Sequence, residues 1–81
     1  MTADDLIAFL QPHFPNATID AVNQGNKFEL RIIDDGFTSK RLVQRQQAVY
    51  ALTNHFISSG EIHALNIHAL TFAEWQNQAN T

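Results

Sequence analysis

The side chains with the greatest chemical capacity here are four histidines, His13, His55, His63 and His68, in a chain of 81 residues without a cysteine. The missing thiols exclude a disulfide, a thiolate zinc site and an iron–sulfur cluster held by this chain alone. The histidines divide by setting. His13 stands beside Pro12 at the close of a helical segment, where an imidazolium suits the negative end of the helix dipole. His55 falls at an ordinary surface position of a long helical stretch. His63 and His68 lie five residues apart in a strand-like run, and odd spacing sends them to opposite sheet faces. Such a pair does not close on one metal ion, so a metal role needs one of them with a ligand from elsewhere. The residues alone leave two readings of His63 open, as such a ligand or as a strand histidine satisfied by its surroundings.

Other chemistry finds less support. No Ser nucleophile stands in order with a His and an acid, and the thiol route is closed. Asp34-Asp35 reads as a turn at a strand end rather than a catalytic carboxylate pair. Gly25, Gly36 and Gly60 are isolated, so no glycine-rich loop is available to cradle a phosphate. Five Lys+Arg against eight Asp+Glu leave a formal charge of −3, which argues against nucleic-acid binding by overall charge. The distribution is less bland. Lys40, Arg41 and Arg45 are close together, and Arg41 and Arg45, four apart on a helix, are expected to project together toward a few phosphates. The plain alternative is a solvated helix start.

The elements that must position these residues follow from local pattern. Thr2 with Asp5 forms a short-armed capping box for a helix over residues 2–14, with Leu6, Ile7, Phe9, Leu10 and Phe14 as its apolar stripe. Residues 17–22 alternate as a strand. Asn23-Gln24-Gly25-Asn26 is turn chemistry, and Phe28 to Ile33 alternate as a second strand, so a hairpin is the simplest pairing. From Ser39, a cap residue, to Ser58 the pattern is helical, with Leu42, Val49, Leu52 and Phe56 on the buried side. Lys40, Arg41, Gln44, Arg45 and Gln47 fall on the wet side, and a break near Tyr50–Thr53 would suit the helix's length. Gly60 is placed as a left-handed stop. Residues 62–69 form a third strand, and Thr71 with Glu74 caps a last helix anchored by Trp75, before a polar tail over 76–81.

The order α-β-β-α(α)-β-α predicts one α+β domain over residues 1–81, with a three-stranded mixed sheet and its helices on one face. The arrangement resembles the type II KH-like fold. The Gly-x-x-Gly loop of a KH module is reduced here to Gly36-Phe37-Thr38-Ser39, with one glycine. No apolar run approaches the ~20 residues of a membrane helix, so a soluble, cytoplasmic protein is expected.

Three segments together carry a more specific resemblance. Val43-Gln-Arg-Gln-Gln-Ala-Val-Tyr50, Ile62-His63-Ala64-Leu65 and Thr71-Phe-Ala-Glu-Trp75 resemble the BolA family and are most similar to its short, acid-stress-linked, IbaG-like branch. The resemblance implies a KH-like domain without enzymatic activity. It implies a monothiol glutaredoxin as partner and a [2Fe–2S] cluster shared with that partner and its glutathione, in iron–sulfur trafficking and iron homeostasis. For some members it implies transcriptional regulation of the stress response, for which the Lys40, Arg41 and Arg45 patch is the candidate DNA contact. His63 matches the family's C-terminal histidine and is thereby implied as the cluster ligand. Imidazole replaces thiolate on one iron in Rieske-type centres, so the role is chemically sound. The family's second ligand is a His or Cys in the hairpin loop. Residues 23–27 hold neither, and Lys27 stands near that place. The branch tends to carry Lys where this chain has His68, which is left as a surface histidine. A homodimer is the remaining expectation.

Overall fold

Thr2 opens the first helix as its sequence predicts. In a computed structural model, which describes residues 1–79, Thr2 Oγ1 accepts from the Asp5 N–H and the Asp5 carboxylate accepts from the Thr2 N–H. Helix α1 spans Ala3–Leu10, and the chain then tightens into a 3₁₀ turn over Gln11–His13, where Pro12 falls. Proline lacks the N–H that a continuing helix would use.

Strands β1 (Thr18–Gln24) and β2 (Lys27–Ile33) form the expected hairpin, antiparallel and in register from Thr18↔Ile33 to Gln24↔Lys27. The connection is two residues long and takes its positive φ, 59°, at Gly25 alone. That is the requirement of a type II′ turn, whose twist matches the strands. Helix α2 (Leu42–Ser59) crosses over to β3 (Ala64–Leu70), which pairs parallel to β2 and leaves β2 central. Gly60 ends α2 at φ 83°. Helix α3 (Phe72–Ala79) follows its capping box, with Thr71 Oγ1 accepting from the Glu74 N–H and Glu74 Oε1 accepting from the Thr71 N–H.

Phe28, Leu30 and Ile32 of β2, with Ile19 of β1 and Ile67 and Ala69 of β3, point to one face of the sheet. There they join Leu6 and Leu10 of α1 and Val49 of α2 in the core, with Phe37 and Ile62 from the connections. Glu29 and Arg31 point to the other face. Trp75 of α3 reaches that face and lies against the Arg31 guanidinium, 4.1 Å from its ring centroid.

Four expectations are corrected. Ser39 does not cap the second helix: Asp35–Phe37 winds into a 3₁₀ turn that drives Phe37 into the core, and α2 starts only at Leu42. Helix α2 runs unbroken past Tyr50–Thr53; Thr53 returns its hydroxyl to the Val49 carbonyl inside the helix. Leu42 is exposed and Arg45 buried, the reverse of the amphipathic assignment. Residues 76–79 continue α3 rather than forming a tail, and the last two residues of the expected tail lie outside the described residues.

Candidate functional site

His63 is presented by its neighbours. Ile62 is fully buried, and its N–H donates to the Phe56 carbonyl at the end of α2. One residue later the His63 N–H donates to the Asn26 carbonyl at 2.7 Å, and the Ala64 N–H shares that acceptor at 3.3 Å. The backbone of His63 is therefore clamped between the core plug and the hairpin turn, while the residue itself is exposed. Asn23 stiffens the same turn by donating from Nδ2 to the Gly25 carbonyl. Because β2 and β3 run parallel with Lys27 opposite Ala64, the hairpin turn and His63 share one end of the sheet. A shallow depression of ≈ 660 Å³ opens beside them, lined by Val22, Gln24, Lys27, Ala64 and Asn66 among others.

This arrangement offers one exposed imidazole on a rigid mount. Among the described residues, no three His, Cys, Asp or Glu side chains come together to hold a metal. A [2Fe–2S] cluster would find one ligand here and would need its other ligands from a second molecule. Lys27, at the neighbouring turn, is exposed and supplies an ammonium rather than an iron ligand.

The other histidines are engaged elsewhere. His68 is on the open sheet face, its Nε2 3.2 Å from Glu29 Oε2, and Asn66 Nδ2 donates to both oxygens of the same carboxylate. The rings of His13 and His55 pack around Phe9, at centroid distances of 5.6 and 5.5 Å.

The basic patch is divided by the fold. Lys40 and Arg41 are exposed, but Arg45 is only 4% exposed and turned inward. Its Nε donates to the Lys40 carbonyl, Nη1 to the Ala69 carbonyl and to Glu74 Oε1 at 2.6 Å, and Nη2 to Glu74 Oε2 at 3.3 Å. The Arg45 guanidinium, and after it the Thr71 N–H, hold the Glu74 carboxyl well below the usual range, at about 2. Arg41 and Arg45 therefore do not project together. The sign of this was available in the sequence: Glu74 is the acidic member of a capping box, and such a carboxylate at a fixed place attracts a long cation. Its partner, 29 residues away, was not visible.

Comparison with known proteins gives a consistent family. The model of the BolA-like protein family matches residues 11–74. An uncharacterized protein in the rpoN-murA intergenic region of Acinetobacter guillouiae is 47% identical over 94% of this chain and 92% of its own length. The DNA-binding transcriptional regulator BolA of Haemophilus influenzae is 35% identical over 88% of this chain and 74% of its own. The acid stress protein IbaG of Escherichia coli is 35% identical over 63% of this chain and 61% of its own. The solved BolA domain of SufE1 from Arabidopsis thaliana is 29% identical, with a TM-score of 0.79 over 89% of this chain and 93% of that one.

Proposed function

This chain belongs to the BolA-like family, and on that premise we propose that it is a non-enzymatic cytoplasmic adaptor for a monothiol glutaredoxin. In this reading the pair carries a [2Fe–2S] cluster as cargo in iron–sulfur trafficking, iron homeostasis and stress response. The observation that carries the reading is His63: an exposed imidazole whose backbone is clamped at the hairpin end of the sheet. His63 donates one ring nitrogen to iron, and the glutaredoxin and its glutathione supply thiolates. Clamping matters because a ligand whose backbone is already ordered loses less entropy on binding. No helix among the described residues is long and apolar enough to cross a membrane.

The test is visible circular dichroism of the chain mixed with cluster-loaded glutaredoxin. A new cluster spectrum with the wild type, reverting to that of glutaredoxin alone with His63→Ala, is the expected outcome. Identical spectra for wild type and variant overturn the ligand role. His63 is exposed, so the variant retains its fold.

The rival reading is a DNA-binding regulator, in line with the name of the Haemophilus influenzae relative. With Arg45 committed to Glu74, the patch keeps Lys40 and Arg41. Two phosphate contacts give a slope of only about −2 in log K against log salt, hence weak binding. Loss of DNA binding in Lys40→Ala/Arg41→Ala at low salt supports the rival, and no DNA binding at low salt removes it.

A further inference from the structure

The two edges of the sheet are finished differently. Along β3 the outward carbonyls of Leu65, Ile67 and Ala69 each accept from an α2 side chain: Tyr50 Oη at 3.0 Å, Gln46 Nε2 at 3.1 Å and Arg45 Nη1 at 3.1 Å. That edge is already occupied by the chain's own helix. Strand β1, at the opposite edge, receives no such bonds from α2. In a two-residue hairpin the residues flanking the turn exchange both of their bonds, and the alternation continues along the strand. Gln24, Val22, Asp20 and Thr18 therefore bond to β2, and the N–H and C=O groups of Asn23, Ala21 and Ile19 point outward. No side chain of α1 or α2 bonds to those outward groups. Strand β1 also lacks the usual protections of an edge, since it contains no Lys, Arg or Pro. Its one charge, Asp20, is neutralised by Arg31 at 2.6 Å, and Val22 is 66% exposed.

We infer that β1 is a self-association edge, pairing antiparallel with β1 of a second copy to continue the sheet. A two-fold axis through Ala21 sets Ala21 opposite Ala21 of the second copy, Ile19 opposite Asn23, Asp20 opposite Val22 and Thr18 opposite Gln24. This register uses all three outward residues and opposes no like charges. An axis through Asp20 would set two carboxylates face to face, and an axis through Val22 would leave part of the strand unpaired. The pairing is isologous, so it closes on two copies. Both copies carry a formal charge of −3, so raising the salt concentration strengthens the association.

Sedimentation of the wild-type chain is expected to show the mass rising from one chain toward two with concentration. A mass that stays at one chain at the highest soluble concentration overturns the inference. The register is tested by cross-linking, which the cysteine-free sequence makes clean. Asp20→Cys and Val22→Cys variants are oxidised separately and as an equimolar mixture. Directly opposed non-hydrogen-bonded residues sit about 4.5 Å apart at Cα, within disulfide reach, and their diagonal neighbours at about 7–8 Å are outside it. The mixed disulfide is therefore expected to form about tenfold faster than either homodisulfide. Equal rates for all three overturn the β1 pairing. Both positions are exposed, so neither substitution disturbs the core.

Discussion

Arg31 and Arg45 carry the same side chain, and each meets a carboxylate at 2.6 Å, yet the fold uses them in opposite ways. Arg31 lies on the open sheet face, its side chain 36% exposed, paired with the exposed Asp20 and stacked on Trp75. Arg45 is buried where α2, β3 and α3 meet, with its hydrogen bonds shared among the Lys40 and Ala69 carbonyls and Glu74. Burial sets what each ion pair contributes. An exposed pair is screened by water and contributes little. A buried guanidinium that satisfies two main-chain carbonyls and a carboxylate becomes a structural pin, because removing it strands those partners. Arg45 holds α3 on the sheet, whereas Arg31 gives Trp75 a surface to lie on.

The largest loss is expected at Arg45. Arg45→Met is expected to cost about 2–4 kcal/mol, the cost of leaving buried acceptors without a donor. For a domain of this size that lowers the melting temperature by roughly 10–25 °C, which calorimetry reads directly. If the variant melts within a few degrees of wild type, Arg45 is not a pin.

A smaller effect comes through pH. The Glu74 carboxyl is lowered from 4.5 to about 2 in the folded chain, first by Arg45 and then by the Thr71 N–H. A depressed folded value contributes stability that is fully present above the unfolded value near 4.5 and is lost as pH falls toward 2. The half-exposed carboxylate is screened, so the loss is about 1–2 kcal/mol rather than the full linkage value. Urea unfolding at several pH values checks it: Glu74→Gln is expected to flatten the acid slope of stability in that window. An unchanged slope would place the pH dependence on other carboxylates.

On the open face, Arg31→Ala removes a cation–π contact and a solvated ion pair, for a loss of about 1 kcal/mol. Trp75 then loses its platform, so its fluorescence maximum is expected to shift to longer wavelength. The smallest effect is expected at Asp20→Asn, within about 0.5 kcal/mol by urea unfolding. A larger loss there would mean that the Asp20–Arg31 pair is as structural as the buried one.

Much of the fold was legible because its signals are local. The Thr2–Asp5 and Thr71–Glu74 capping boxes, the Gly25 turn and the Gly60 stop each depend on residues within a few positions of one another. The alternation of Phe28 to Ile33 likewise reports its own sheet face. His63 was legible as a residue through its motif, but not through its setting. Its clamp joins the end of α2 to the hairpin turn, and the Asn26 carbonyl that holds it lies far away in sequence.

Residue pattern was enough for the order of elements, the hairpin and the family resemblance, and it singled out His63 as the candidate. The tertiary structure alone decided where the second helix begins, because Phe37 must reach the core before the chain can turn into it. It alone decided that Arg45 faces inward, because its partner is 29 residues distant. It also decided that α2 side chains cover the β3 edge and not the β1 edge, since that depends on which strand α2 lies beside. Local patterns record the conformation of a segment; burial and pairing between distant segments arise only when the whole chain competes for the same core.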